Sequence, residues 1–155
     1  MITFGVIQPV VKSDARLVYR RSEYAFDMEP KPGGCKTCVT VNEVELEYGD
    51  ERRVLCVSGY CPYQSWVETH LLPPAYSTAD LLVKSPIDVT PGVVTGLNDL
   101  KSRWPVHVNR RGWVCIGDPD NQGDQAVEFA PGSVAVLKGD RLLALWLHPV
   151  MVGEH

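Results

Sequence analysis

Four cysteines fall in two pairs early in the chain, Cys35 and Cys38 in KPGGCKTCVTV and Cys56 and Cys61 in LCVSGYCPY. Cysteines at such spacing hold zinc when their sulfurs converge within roughly 4 Å of one another, because each zinc–thiolate bond is only ~2.3 Å long. The order C-x2-C-x17-C-x4-C is within the loose range of zinc sites, although the second half is not C-x2-C. A hairpin turning at 49–51 sets Cys38 near Cys61 or Pro62, with Cys35 just beyond, and sets Cys56 against Val44. On a straight strand Cys56 and Cys61 stand about 16 Å apart, too far to share an ion. The expected group is therefore Cys35, Cys38 and Cys61, with His70 as the nearest candidate for a fourth zinc ligand. Thiols simply packed at the base of a hairpin are the plainer reading, and no cofactor is required.

Other chemistry has less support. Cys61 with His70 makes a nucleophile–base pair on paper, but no Asn or Asp is placed to orient the imidazole. A redox role for Cys35 and Cys38 needs a helix N-terminus to lower a thiol pKa, whereas Cys38 runs into the strand-like Val39–Thr40–Val41. The loop from Gly117 to Asp124 has three aspartates, but a calcium loop needs a Glu where Phe129 stands and Asp or Asn where Gln122 stands. Phosphate-loop, nucleophile-elbow, metalloprotease and dinucleotide fingerprints are all missing from the sequence. The enzyme alternative rests on Cys61 with His70, or on His107 in a pocket. His107 lies between Val106 and Val108 and alternates away from their face.

These residues sit in a chain punctuated throughout by 13 Gly and 12 Pro, with short apolar runs between them. That pattern predicts many short strands, at 2–11, 17–20, 39–48, 53–58, 105–109, 113–117, 126–129, 134–137 and 142–147. Within 39–48 the apolar parity changes between Val41 and Val44, which a bulge near Asn42 would explain. PVHVN-RR-GWVCIG reads as a hairpin with a two-residue turn, pairing Val106 with Cys115 and Val108 with Trp113. SVAVL-KGD-RLLALWL reads as another, apolar on both faces. Two or three short helices are expected: one beginning at Thr90-Pro91 with Val93, Leu97, Leu100 and Trp104 on one face, one after Ser77, and a turn around 64–70. The fold class is mainly β, a single compact domain over residues 1–155, with a curved antiparallel sheet or barrel-like meander.

The totals narrow the partners. A net charge of -4 argues against a nucleic-acid binder, and Arg110-Arg111 reads as a solvated turn. No apolar run approaches the ~20 residues that span a bilayer, so no membrane partner is expected. Without an export signal the expected compartment is cytoplasmic, where five cysteines, an odd number, stay as thiols. Tyr60, Tyr63, Trp66 and Tyr76 lie in SGYCPYQSWVETHLLPPAY, an irregular aromatic segment suited to the mouth of a pocket. The expected function is a binding domain for a small apolar or aromatic ligand, or for a protein partner, through 60–76. Tyr60, Tyr63, Trp66, His70, Tyr76 and His107 are its candidate contacts.

Overall fold

Runs of three to seven alternating residues, stopped by Gly, Pro, Asn or Asp, pair more readily than they coil. The computed structural model describes residues 2–8, 13–85, 91–99 and 101–153, and over these the chain is mainly β. The strands are β1 (Thr3–Ile7), β2 (Arg16–Arg20), β3 (Ala25–Glu29), β4 (Thr37–Val41), β5 (Val44–Tyr48), β6 (Val54–Tyr60), β7 (Val67–Glu68) and β8 (Ser77–Thr78). They continue with β9 (Asp80–Ser85), β10 (Val94–Gly96), β11 (Val106–Val108), β12 (Val114–Gly117), β13 (Gln125–Ala130), β14 (Ser133–Lys138), β15 (Arg141–Leu147) and β16 (Val150–Val152).

Two seven-stranded sheets result, one ordered β10-β4-β5-β6-β3-β2-β16 and the other β7-β11-β12-β15-β14-β13-β8. Their inner faces share one core, in which Tyr19, Phe26, Leu46 and Val57 of the first sheet join Ile116, Val127, Leu145 and Leu147 of the second. The β1–β9 ribbon adds Phe4, Leu81 and Val83 to this core. It is bonded to each sheet's turns through Phe4 N–H to the Asp140 carbonyl and Val83 N–H to the Arg52 carbonyl. The arrangement is a sandwich with a closing ribbon, not the closed barrel that would have removed every edge. Its outermost strands β7, β8, β10 and β16 have only two or three residues each, which leaves little edge to template aggregation.

Several expectations change. The parity switch in 39–48 is a hairpin: β4 and β5 pair Val41 with Val44 across a tight turn at Asn42 and Glu43, with Asn42 at φ 54°. A two-residue turn moves the core set from odd to even numbers just as a bulge would. No α-helix forms among the described residues, and one 3₁₀ turn at Tyr63–Ser65 is all that remains of the turn expected around 64–70. Residues 94–96 join β4 in parallel as β10 in place of the expected helix; of its expected face Val93 is exposed, while Leu97 and Trp104 are partly buried against the core. Thr90 and Leu100 of that helix, and residues 9–11 of the first expected strand, lie outside the described residues. After Ser77 the chain is extended, with Leu81 and Val83 buried at the period of a strand.

Candidate functional site

The segment 60–76 divides into a plug and a strap. At the plug, Trp66 lies against Tyr19 and stacks on Phe26, with ring centroids 4.9 and 6.3 Å apart. The Tyr19 hydroxyl donates to the Cys61 carbonyl at 2.7 Å and accepts from the Tyr63 N–H at 3.0 Å. Burial pushes the Tyr19 hydroxyl up to about 12, so it stays a donor across the physiological range. Tyr63 packs against Tyr24 and lies under the Arg21 guanidinium, 4.8 Å from the ring centroid. Tyr60 is exposed at the end of β6, edge-on to Tyr24. Tyr63 and Trp66 thus seal one end of the core, and Tyr60 stands beside them.

The strap is residues 69–76. It leaves β7 at one edge of the second sheet, where β7 pairs with β11, and reaches β8 at the opposite edge, where β8 pairs with β13. Seven strands span about 29 Å, and an extended chain from Glu68 to Ser77 reaches about 30 Å, so the strap is nearly taut. Pro73 and Pro74 suit such a crossing, being pre-extended and having no N–H to leave unsatisfied. Leu71 packs on the outward-facing layer of Cys115, Ala126, Val134, Val136, Ala144 and Trp146. Tyr76 meets Trp113 edge-on at 6.1 Å, and Trp113 stacks on His148 at 4.6 Å.

Asn109, 7% exposed, fastens the strap to the β11–β12 hairpin. Its Nδ2 donates to the Leu71 carbonyl at 2.9 Å, while its Oδ1 accepts the N–H groups of Arg111 and Trp113 at 2.9 and 3.1 Å. The hairpin therefore turns through three residues, Arg110, Arg111 and Gly112, closed by the Asn109 N–H on the Trp113 carbonyl. Gly112, at φ 86°, takes the left-handed position this turn requires. The extra residue shifts the expected register by one: His107 faces Cys115, and Val108 faces Val114. His107 consequently stands in one cross-strand row with Val67, Cys115, Trp146, Val134, Glu128 and Thr78.

Between strap and hairpin opens a cleft of about 570 Å³, lined by Glu68, Thr69, His70, Leu72, Val108, Asn109, Arg110 and Arg111. His70 is exposed there, and Leu72 is 50% exposed. Two guanidinium groups and an imidazole around an apolar side chain, offset by one carboxylate, favour a ligand with an anionic group and an apolar body. A second cleft, about 620 Å³, lies between the sheets beside Val54, Leu55, Phe129, Asp80 and Glu128. Its polar groups already serve the fold: Asp80 is paired with Arg53, and Glu128 accepts the Gly132 N–H at 3.1 Å.

The cysteines are not grouped as expected. Cys38 and Cys56 flank Glu47 in one row of the first sheet, because β5 intervenes between β4 and β6. Cys38 donates to Glu45 at 3.4 Å. Cys61 follows β6 beyond the Asn42 turn, receives the Trp66 indole N–H at 3.4 Å, and has no place beside Cys35 and Cys38. It also lies in the plug while His70 lines the cleft, so the two do not form one site. Burial is the main force raising every thiol pKa: to about 11 at Cys61, to about 12 at Cys38 and Cys115, and upward at Cys35 and Cys56. Among the described residues no three His, Cys, Asp or Glu side chains converge as a metal-holding group. Nor is any helix among them long and apolar enough to cross a membrane.

Asn109 and the strap are the features the sequence reading missed. Asn-Arg-Arg-Gly after an alternating run is a signal for a three-residue turn with glycine in the left-handed position, and it would have placed His107 opposite Cys115. No family model, curated protein or solved structure matches the chain.

Proposed function

We propose that the protein is a binding domain that takes a small ligand with an aromatic or apolar body and an anionic group in the strap–hairpin cleft. The observation behind this reading is the meeting of His70 and Leu72 on the strap with Arg110 and Arg111 on the hairpin around one cleft of about 570 Å³. Leu72 and the strap backbone receive the apolar body, and the two guanidinium groups receive the anion. Asn109 acts through position: it holds strap and hairpin at a fixed separation. A rigid apolar wall with a few convergent polar groups is the usual build of a small-molecule site.

Anilinonaphthalenesulfonate has the chemistry this cleft suits and reports binding by its fluorescence. The expected result is saturable binding that weakens with added salt and falls at least about tenfold in Arg110→Ala/Arg111→Ala, which removes both charge-assisted contacts. N-phenylnaphthylamine, which lacks the sulfonate, should bind more weakly than the anionic probe and ignore the two substitutions. Equal binding of both probes, or an unaffected double variant, contradicts the reading.

A further inference from the structure

Strands from both sheets line the second cleft, whose volume of about 620 Å³ is ordinary for a small-molecule site. Each of these strands has a β-bulge at the cleft. In the first sheet Tyr48 faces Val54 and Glu47 faces Cys56, so Leu55 is the extra residue of β6. In the second, Glu128 faces Val134 and Ala130 faces Ser133, so Phe129 is the extra residue of β13. Consecutive residues of a regular strand point to opposite faces. Here Val54 and Leu55 both line the cleft, and so do Glu128 and Phe129. Bulges re-aim side chains in this way and are over-represented beside active sites.

The wall so formed is apolar, and its charge is negative. Val54 and Phe129 are buried, and Leu55 is half-buried. Among the described residues the lining includes the carboxylates of Asp80 and Glu128 and no Lys, Arg or His. Asp80 is paired with Arg53 and serves the fold. Glu128 commits only one of its oxygens: Oε2 accepts the Gly132 N–H at 3.1 Å, and Oε1 has no protein partner among the described residues. Gly132, at φ 68°, is itself held fast. Its carbonyl accepts the His148 N–H at 2.8 Å, and a Cβ there would come within 2.8 Å of the His148 carbonyl. The β13–β14 turn therefore fixes the donor that orients Glu128, and the carboxylate is pre-organised with one oxygen unused.

We infer that this inter-sheet cleft is a second binding site, which takes a small organic cation: a protonated primary amine on an apolar body. The ammonium donates to Glu128 Oε1, and the body lies against Leu55 and Phe129, the two bulged residues. The ammonium–carboxylate bond is charge-assisted, so a neutral molecule of the same shape binds less well. An anion meets a like charge here, so the two clefts sort ligands by the sign of their charge. The inter-sheet cleft shares no lining residue with the strap–hairpin cleft and stands whether or not that cleft binds an anion.

Phenethylamine, a cation at neutral pH, and phenethyl alcohol, its neutral counterpart, are the test pair, titrated into the isotope-labelled protein and followed by amide shifts. The expected result is saturable perturbation by phenethylamine centred on Leu55, Phe129, Ala130 and Gly132. Phenethyl alcohol should bind at least about tenfold more weakly. Glu128→Gln keeps an acceptor for the Gly132 N–H and removes the charge. It should weaken phenethylamine about tenfold and leave phenethyl alcohol unchanged. Arg110→Ala/Arg111→Ala should bind phenethylamine as the unaltered protein does, and a weakened response there would place the amine in the other cleft and overturn the inference. Equal binding of amine and alcohol to the unaltered protein overturns it too, whatever the variants do. So does the absence of a saturable shift, a perturbation centred away from those four amides, or undiminished phenethylamine binding in Glu128→Gln.

Discussion

Asn109 joins two elements with three hydrogen bonds from one amide side chain, and each contact has a separate consequence. Asn109→Ala strands the Leu71 carbonyl and two turn N–H groups in a partly buried setting, so it should destabilise the protein by about 2 kcal/mol. Asn109→Asp keeps the oxygen that caps the turn and loses the donor to Leu71. It should therefore preserve the hairpin while the Thr69 and Leu71 amides exchange faster, which native-state hydrogen exchange resolves residue by residue. Thr69 and Leu71 exchange in Asn109→Asp unchanged from the unaltered protein would mean that the strap is held by packing and not by Asn109. Asn42 has a comparable place in the first sheet. It takes a left-handed turn conformation, accepts the Trp104 N–H at 2.9 Å, and exchanges hydrogen bonds with Asn98 at 2.7 Å. Neither role follows from the residue type, because an Asn in a turn satisfies its own backbone as readily as a distant one. His107 is the contrasting case: its alternation away from Val106 and Val108 was legible, but its neighbour Cys115 depended on a turn one residue longer than expected.

Elements were legible where the local signal agreed with the global pairing. The β14–β15 hairpin forms as its doubly apolar strands require, although Lys138 pairs with Arg141 and leaves Gly139 and Asp140 alone in the turn. β3 was missed although Phe26 and Met28 alternate with Ala25, Asp27 and Glu29, since charged outward positions hide a strand this short. The strap was illegible for a different reason: it has no period, and its course is set by the two edges that β7 and β8 occupy. Tautness makes its length a testable quantity. Deleting Pro74 removes about 3.3 Å of reach from a segment whose full extension about equals the width it crosses. The shortened chain should release β8 from β13, seen as loss of exchange protection at the Ala79 amide, which donates to the Glu128 carbonyl. Inserting one glycine at the same place should cost only a few tenths of a kcal/mol, because loop entropy grows slowly with length. Similar stability of both length variants would show that the strap has slack.

At the scale of the whole molecule, five thiols distributed over the sandwich share one response to pH. Each thiol pKa is raised in the folded state, mainly by burial, while the unfolded chain ionises near the ordinary value of ~8.5. Below that value folded and unfolded states bind equal protons and the thiols have no effect on stability. As pH rises above it the unfolded state alone loses protons, so stability falls until the folded thiols ionise, from about 11 at Cys61 to about 12 at Cys38 and Cys115. Chemical unfolding at a series of pH values should show a midpoint that declines from about pH 8.5 upward. Substituting Cys61 by Ser should reduce the slope, and an unchanged slope would assign the decline to other groups.

The strap–hairpin cleft is where a ligand with an anionic group and an apolar body should meet the sandwich. Amide shift mapping of the labelled protein with anilinonaphthalenesulfonate locates it directly. The prediction is that perturbations centre on Thr69, His70 and Leu72 of the strap and on Asn109, Arg110 and Arg111 of the hairpin turn. Perturbations centred instead on Val54, Leu55 and Phe129 in the inter-sheet cleft, or on Tyr24 and Tyr60 beside the aromatic plug, would contradict it.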